Sequence, residues 1–511
     1  MENKRYLEPI LCNDVNKESE TQVTGSIMSE KSGIIGLKFA KPIPLAERCV
    51  GRREEFLAGI LRGGLLFVLL SMIFGDGMFR IPGVGKDAGG LGLALSAIRG
   101  LIFFSNFGVY AVLIFYFLVV PEKVRRFPWI ELWPVLLLIA FVGGMALLSS
   151  ARSTVNVRVG NFLLYALPAM VSMLHCTDRK GIELVRDWIV GAAGLAIAIL
   201  IASGRFIPLI LGDMRMVNAV PDEVAEELAE RFVLQSDPIT TAMMFYLAGL
   251  AGLSLLFDLK RWYTRTLVLA IILVSVGLAL TTGARGPLLA FIIGVVSLVA
   301  LARFSIRRRL LTGVLGCLLF SSALVVLPEV SPESGRRVFG LLGQVIPSLD
   351  KYGTGAAKLE ADGRHERFEE AISAPLSLFG RGVGAYGERV GDPTEYIHNL
   401  FLEAYYETGL AGIAVISFVF LYCCTELLRF SIKGRKLAQF CFGSMVFYLV
   451  DAQFTGTLID NVGSLSFLVL GFMAIGVEKR LERLAKANAK SGIDAKGGVR
   501  NGFNRRCHNL R

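Results

Sequence analysis

The sequence contains few of the residues that hold metal ions in proteins. Its 511 residues include only four histidines and eight cysteines, and these do not recur at the short spacings typical of zinc sites. A structural or catalytic zinc site is therefore not supported. We predict a protein that works without a bound metal and without another cofactor.

A nucleotide-binding signature is also lacking, despite one literal match. The segment Gly382-Val-Gly384-Ala-Tyr-Gly387 fits G-x-G-x-x-G, but no strand pattern precedes it and no βαβ pattern surrounds it. We interpret it as a flexible turn. The first 55 residues are polar, whereas a signal peptide needs an early apolar core. Residues 1–58 are thus predicted to be a flexible cytoplasmic arm.

Long apolar runs, by contrast, recur along most of the chain. Hydrophobic residues make up 53% of the sequence, and its mean hydropathy is +0.57. Runs of roughly twenty residues are long enough for helices that cross a hydrocarbon core of about 30 Å. Backbone groups cannot stay unpaired in lipid, and a barrel would show alternation instead. We therefore predict an all-α polytopic membrane protein with about twelve transmembrane helices. The predicted spans are approximately 60–78, 100–120, 131–149, 157–174, 187–204, 239–257, 264–282, 286–303, 309–328, 399–428, 437–455 and 463–478.

Basic residues indicate how these spans are oriented. Alternate loops are rich in lysine and arginine, which predicts that they are cytoplasmic and that both termini lie there too. The external segments are then roughly 79–99, 149–157, 204–238 and 329–397. Most of the net charge of +11 reflects this asymmetry and a basic tail, so no nucleic-acid partner is predicted. The cytoplasmic loops contain Lys123, Arg125 and Arg126; Arg179, Lys180 and Arg186; Lys260, Arg261 and Arg265; Arg303, Arg307, Arg308 and Arg309; and Lys433, Arg435 and Lys436.

This topology divides the chain into five parts. The arm is followed by helices 1–9 at 59–328, a large external loop at 329–397, helices 10–12 at 398–478, and a basic cytoplasmic tail at 479–511. A connection as long as the external loop is usually functional or disordered, and we expect an ordered cap. Its helix-like piece at 363–372 supports that expectation.

The external segments are poor in cysteine and lysine but rich in arginine. The missing cysteines indicate no disulfide framework, and the scarcity of lysine is partly the positive-inside rule. Arginine's forked donors suit a bidentate grip on phosphate. The alternative, surface arginines paired with nearby carboxylates, stays open for each one. These arginines are Arg80, Arg152, Arg158, Arg205, Arg215, Arg231, Arg336, Arg337, Arg364, Arg367, Arg381 and Arg389.

Arg285 lies in a tight external turn between two predicted spans, within residues 280–287. Gly283 and Gly286 permit close backbone approach, and Pro287 fits the first turn of the next helix. The free amides of that helix and the guanidinium together predict an anion site at the outer membrane edge. The alternative is a snorkelling anchor, which would be more natural on the cytoplasmic side.

His398 has the most suggestive position of the four histidines. His175 and His508 are predicted to be cytoplasmic, and His365 lies in a charged helical piece where we expect it to be solvated. His398 instead stands where the charged loop meets an apolar span. A histidine titrates near neutral pH and can move protons there. A satisfied interfacial histidine is the alternative.

Three pieces of the chain form a recognisable series: Thr282-Gly283-Ala284-Arg285-Gly286; Gly363-Arg364 with Phe368, Pro375, Gly380, Gly382 and Gly384; and His398-Asn399…Leu402…Glu407-x-Gly409-x-x-Gly412. In this order they resemble the motifs "T-G-S/A-R-G", "G-R…W…P…G-x-G" and "H-N…L…E-x-G-x-x-G" of the O-antigen ligase and O-antigen polymerase superfamily of bacterial membrane glycosyltransferases. The resemblance covers roughly residues 200–475. Phe368 stands where the family often has tryptophan, and the stretch at 231–239 lacks the Gly and Asn of the family's "R…G…P-N", so Arg231 is given no catalytic role.

This resemblance implies glycan transfer from an undecaprenyl diphosphate carrier to a sugar hydroxyl, at the periplasmic face of the bacterial inner membrane. Arg285 and Arg364 would neutralise the diphosphate without a metal, and His398 would be the general base. Direct displacement would invert the anomeric centre. Asn399, Glu407, Gly283 and Gly286 are the expected supporting residues, and Glu395, Glu403 or Glu407 would orient the histidine.

The acceptor stays open at this point. A ligase joins the glycan to a lipid A core, whereas a polymerase extends a growing polysaccharide from carrier-linked repeats. The donor chemistry is shared, and the Thr282–Gly286 turn favours the ligase slightly. A transporter is the alternative from another class, but it would show internal repeats and broken helices near the midplane. No half-to-half similarity is visible in the sequence.

Overall fold

The computed structural model describes residues 127–202, 238–302, 364–392, 395–455 and 461–494, with short pieces between 325 and 339. Every regular element within these ranges is a helix, which confirms the all-α prediction for this part of the chain. The predicted spans at 60–78 and 100–120, and most of that at 309–328, lie outside the described residues.

The helices before the large loop follow the predicted apolar runs closely, with two differences. The helix predicted at 187–204 begins at Arg179, within a segment that was assigned to a cytoplasmic loop. The predicted span 157–174 begins earlier, in a polar helix, and passes through a π-helical turn. These elements are α1 (Trp133–Leu148), α2 (Arg152–Asn161), the π-helical turn Phe162–Ala166, α3 (Leu167–Met173), α4 (Arg179–Ala202), α5 (Pro238–Leu256), α6 (Trp262–Thr281) and α7 (Arg285–Leu301).

Two short helices and three long ones follow in the second half of the described chain. The short ones belong to the end of the large loop, and the long ones match the last three predicted spans in position. They are α8 (Arg364–Ser373), α9 (Ala385–Val390), α10 (Leu400–Ile432), α11 (Lys436–Thr455) and α12 (Val462–Asp494).

Five helices in the described ranges are long and apolar enough to cross a membrane, and α1 and α7 are shorter apolar helices. This composition supports a multi-pass membrane protein. The total of about twelve spans stays a prediction. The five candidate spans are Ile239–Leu256, Trp262–Thr281, Leu400–Ile432, Lys436–Phe454 and Val462–Ala487.

Helix α11 lies at the centre of the bundle, packed against α5, α7, α10 and α12. Its side chains Phe440, Phe447 and Tyr448 are buried, and the Tyr448 ring packs against Phe467 of α12 with ring centroids 4.8 Å apart. Large apolar side chains that are fully enclosed contribute most to the stability of such a core. Because α11 contacts all four of these helices, its position constrains where each of them lies in the bundle.

Ion pairs hold one end of the bundle together. Asp258, between α5 and α6, accepts hydrogen bonds from Arg186 of α4 and Lys436 of α11, each at 2.5 Å. Burial acts to raise the pKa of Asp258, but the hydrogen bonds from Lys436 and Arg186 outweigh it, so the pKa of this carboxyl lies below its usual value. Three basic segments predicted to share one membrane face thus lie together.

The four tryptophans of the sequence mark the same end of the bundle. Trp129 and Trp133 stand at the start of α1, Trp188 in the first half of α4 and Trp262 at the start of α6. Trp129 is 63% exposed and Trp262 78% exposed. Exposed tryptophans at helix ends are typical of a membrane–water interface, as the predicted topology requires for this end.

Candidate functional site

The turn between α6 and α7 lies at the opposite end of the bundle. Thr282 donates a hydrogen bond from Oγ1 to the Ala279 carbonyl at 2.7 Å and accepts one from the Ala284 amide at 3.2 Å. Gly283 has φ 64°, a left-handed conformation that glycine adopts readily. Arg285 is the first residue of α7 and is half-buried. Its guanidinium therefore extends from a helix N-terminus.

The last turn of α11 contacts this segment and the start of α10 through adjacent residues. A Cβ added to Gly286 would lie 2.7 Å from the Cβ of Phe454, so the two backbones are in close contact. The preceding carbonyl, that of Gln453, accepts a hydrogen bond from Asn399 Nδ2 at 3.4 Å. The Arg285 turn and the segment that carries His398, far apart in sequence, thus meet at the end of α11.

Asn399 is the N-cap of α10. Its Oδ1 accepts hydrogen bonds from the amides of Phe401 and Leu402 at 3.1 and 3.0 Å, which satisfies two donors that the helix leaves open. His398, just before the cap, has φ 60°, and its ring lies 4.1 Å from that of Tyr396 between centroids. A non-glycine residue in this region costs on the order of 1–3 kcal/mol and persists only where its surroundings hold it.

Helix α10 is broken at Gly409, which has φ 68° and ψ −160°. The preceding loop supplies the hydrogen bonds that the break interrupts. The amides of Leu410 and Ala411 each donate at 3.0 Å to the carbonyls of Ser377 and Leu378. On the other side, the Gly382 amide donates to the Glu407 carbonyl at 2.8 Å. The loop at 377–382 is therefore built into the helix.

The glycine-rich segment after this loop packs on the start of α2. Ser149 Oγ donates to the Val383 carbonyl at 2.7 Å, and a Cβ on Gly384 would lie 2.9 Å from Thr154. The amides of Gly384 and Tyr386 donate to the Glu407 carboxylate. The segment is a turn, as expected, and leads into α9, but it is packed between α2 and α10 and is not a loose loop. No strand precedes it within the described part of the loop.

Arg158 of α2 lies at the centre of this arrangement. Its Nη1 donates to Glu403 Oε1 at 2.7 Å and to Glu407 Oε1 at 2.9 Å, and its Nη2 donates to the Glu395 carbonyl at 3.1 Å. The side chain of Arg158 is 3% exposed, and those of both glutamates are 0% exposed. Buried charges are stable only when paired and hydrogen-bonded in this way.

Arg158 is the functional candidate that sequence reasoning missed, since it was only one of many predicted external arginines. A usable signal was present in its partners. Glu403 and Glu407 are four residues apart, so they lie on one face of a helix. Two carboxylates on one face of a helix at the membrane edge would have indicated a position where a cation could bind, had that face been known to be buried.

The other arginines of the described loop also pair with the protein itself. Arg367 Nη1 donates to Glu395 Oε2 at 2.8 Å and to the Tyr396 carbonyl at 3.4 Å. Arg389 pairs with Glu370 at 2.5 Å. Arg367 and Arg389 are thus paired with carboxylates, as the alternative for the external arginines predicted.

Tyr406 holds a further part of the loop. Its hydroxyl accepts a hydrogen bond from Arg381 Nη1 at 2.8 Å, and the Arg381 guanidinium lies 4.6 Å from the ring centroid. The Tyr386 ring packs edge-on against the Tyr406 ring, with the two ring centroids 5.8 Å apart. Burial, together with the Glu370 carboxylate, raises the pKa of Tyr386. Its hydroxyl therefore stays protonated over a wide range of pH.

Arg364 is the first residue of α8, one turn before Arg367. The side chains of Arg364 and His365 lie outside the described residues, so the role of Arg364 stays a prediction. Three carboxylates were considered for orienting His398, those of Glu395, Glu403 and Glu407, and each of them contacts an arginine. That orienting role stays a prediction too.

In the described ranges, no group of three or more His, Cys, Asp or Glu residues is arranged to hold a metal ion.

Part of the chain matches the model of a known protein family. The model described as O-antigen ligase matches residues 269–417. The matched region runs from within α6 into α10 and contains Arg285, Arg364 and His398, but it does not contain Arg158. No curated protein matches the chain.

Proposed function

We propose that this chain, a member of the O-antigen ligase superfamily, transfers a glycan from an undecaprenyl diphosphate carrier to a sugar hydroxyl of the lipid A core. One observation carries the proposal. The last turn of α11 joins the Arg285 turn to the His398 segment through Gly286–Phe454 packing and the Asn399–Gln453 hydrogen bond. A cation for the leaving group and a base for the acceptor therefore share one end of the bundle.

The reaction is a direct displacement. The acceptor hydroxyl oxygen attacks the anomeric carbon while the bond from that carbon to the diphosphate oxygen breaks, which inverts the anomeric centre. His398 takes the hydroxyl proton as the general base. Negative charge develops on the diphosphate, where Arg285, Arg364 and the amides at the α7 N-terminus stabilise it. The proposal requires no metal ion, nucleotide sugar or ATP.

The supporting residues hold these groups in place. Gly283 allows the turn that exposes Arg285, and Gly286 allows its contact with α11. Asn399 caps α10 directly after His398. Glu407 anchors the glycine-rich segment to α10 through the amides of Gly384 and Tyr386. A reaction that depends on near-attack geometry needs such rigid supports.

The position of the break in α10 favours an enzyme over a transporter. Transporters place broken helices near the bilayer midplane. Residues 410–432 by themselves reach about 34 Å at about 1.5 Å per residue, enough to cross a core of about 30 Å. The break at Gly409 therefore lies at the end of the span, beside the site. The proposed location is the bacterial inner membrane, with both termini in the cytoplasm and this end facing the periplasm.

The test is the surface polysaccharide of a strain that carries only Arg285→Ala or His398→Ala protein. Gel electrophoresis is expected to show loss of long glycan from lipid A, with free polymer accumulating on its carrier. Single repeats on the acceptor or carrier would instead identify a polymerase, which extends the polysaccharide. Normal long-chain glycan in both variants, at wild-type protein levels, would contradict the catalytic assignment.

A further inference from the structure

We propose that Arg158 is a positioning residue that holds His398 in its reactive place. This inference rests on the proposed function, in which His398 is the general base. It concerns a residue outside the matched family region. The side chain reaches into the site from α2, which belongs to the opposite half of the sequence.

The guanidinium of Arg158 binds the chain on both sides of His398. Its Nη2 holds the Glu395 carbonyl at 3.1 Å, three residues before the histidine. Its Nη1 holds Glu403 at 2.7 Å and Glu407 at 2.9 Å, beyond the N-cap of α10. One planar group thus fixes the distance between the segment that enters the helix and the helix itself.

Only arginine can make this set of contacts. A guanidinium presents five N–H donors in a rigid fork, whereas a lysine ammonium is a single point on a flexible stem. The contacts are made where the side chains of Arg158, Glu403 and Glu407 are at most 3% exposed. Charged hydrogen bonds in such a dry environment are stronger and more directional than those at a surface.

The backbone at His398 explains why these contacts of Arg158 with Glu395, Glu403 and Glu407, which we call the clamp, are needed. Its φ of 60° is sparsely populated for a residue with a side chain, so the surrounding structure must enforce it. Arg158 does so at Glu395, and Arg367 adds a hydrogen bond to the Tyr396 carbonyl at 3.4 Å. Asn399, the residue after His398, is held by its own side chain, which donates a hydrogen bond to the Gln453 carbonyl. Without Arg158, the segment before His398 loses its buried attachment.

The clamp has a firm base in α2. Ser149 and Thr154, beside and within the first turn of this helix, pack on the glycine-rich segment at Val383 and Gly384. That segment also donates its amides to Glu407. Arg158 therefore emerges from a helix already fixed to α10 by independent contacts, so its guanidinium has a defined position.

The test compares Arg158→Gln and Arg158→Lys with two control variants. Arg186→Gln removes an equally buried, ion-paired arginine at the other end of the bundle, where its side chain is 4% exposed. Asn156→Ala changes an exposed residue of α2 itself. Glycan transfer is measured per folded molecule, as kcat and as KM for the lipid-linked donor. Hydrogen exchange of amides 395–399 is measured on the same samples.

Arg158→Gln is expected to lower kcat about 100-fold, the effect of a misplacement of about 1 Å, and to leave donor KM within about threefold. It should also abolish the exchange protection of residues 395–399. Arg158→Lys should retain an intermediate rate. Arg186→Gln should lower stability while leaving kcat per folded molecule and this protection unchanged, and Asn156→Ala should resemble the wild type.

Unchanged protection of residues 395–399 in Arg158→Gln would overturn the inference, whatever the activity. So would a kcat close to the wild-type value, or an equal loss of kcat in Arg186→Gln. Full activity of a His398 variant would instead overturn the proposed base. Hydrogen exchange would still report on the clamp in that case, so the two failures are distinguishable.

Discussion

The side-chain amide of Asn399 donates a hydrogen bond to the carbonyl of Gln453 at 3.4 Å, and this contact joins the start of α10 to the end of α11. The next residue of α11, Phe454, packs on Gly286. The relationship between these two helix ends is therefore what sets Arg285 and His398 relative to each other.

The first prediction separates the two roles of Asn399. Asn399→Ser keeps a good N-cap acceptor but is too short to reach Gln453, whereas Asn399→Ala loses both roles. Loss of the cap costs about 1 kcal/mol, so the alanine variant should show the lower thermal midpoint of the two. Loss of a hydrogen bond worth about 1 kcal/mol should slow transfer about fivefold in both. A serine variant with the full wild-type rate would show that the link to α11 is unnecessary.

The second prediction concerns the break in α10. Gly409 and Gly391 both have positive φ, but their surroundings differ. A Cβ on Gly409 would lie 2.5 Å from the Ser377 carbonyl oxygen, whereas one on Gly391 would meet nothing within 4 Å. Gly391→Ala should therefore cost only the conformational penalty of about 1–2 kcal/mol. Gly409→Ala should also displace the loop at 377–382 and reduce the yield of folded, monodisperse protein.

Thermal unfolding of the two glycine variants in detergent measures the difference. Equal losses of stability in Gly409→Ala and Gly391→Ala would mean that the loop is not built tightly into the break. A larger loss in Gly409→Ala, accompanied by proteolytic sensitivity of the loop, is the expected result.

The third prediction is a pH dependence at the other end of the bundle. The pKa of Asp258 is lowered in the folded protein from an ordinary value of 3.8. A carboxyl with a depressed pKa stabilises the fold above its unfolded pKa, and this stabilisation is lost as the pH falls through the folded pKa. Asp258→Asn should therefore lower the thermal midpoint at about pH 7, and its difference from the wild type should shrink below about pH 4.

Glu183→Gln is the control for this pH series. Glu183 pairs with Arg179 on the surface, where the side chains are 36% and 48% exposed, and such a pair contributes little. A constant difference between Asp258→Asn and the wild type down to about pH 3 would show that titration of Asp258 does not govern the effect.

Sequence reasoning predicted the elements whose causes are local. Apolar runs of membrane length predicted α1, α5, α6, α7 and α11 to within a few residues, because a helix must satisfy its own backbone in lipid. The predicted span at 399–428 located the start of α10 to within one residue, and the structure shows that the Asn399 side chain caps this first turn. The glycines at 283 and 286 predicted a tight turn for the same local reason.

What could not be predicted depends on distant partners. Arg158 meets Glu403 and Glu407 across 245 and 249 residues of sequence, so neither composition nor period places them together. The break at Gly409 was predicted as part of one continuous span, because an apolar run with a glycine does not reveal that a loop will replace its hydrogen bonds. The start of α2 was assigned to an external segment since its residues are polar, and the contacts that hold the helix there, made by Ser149, Thr154 and Arg158, are all with distant residues.

The central claim is that His398 is the general base of glycan transfer. His398→Asn is the sharpest variant, because asparagine tolerates the left-handed backbone at this position while lacking a group that takes the proton. The most direct measurement is single-turnover transfer from a lipid-linked donor by the folded, purified variant. A rate lowered by about 100-fold or more, with donor binding retained, is the result expected for loss of a general base. A rate within about threefold of the wild type would contradict the claim.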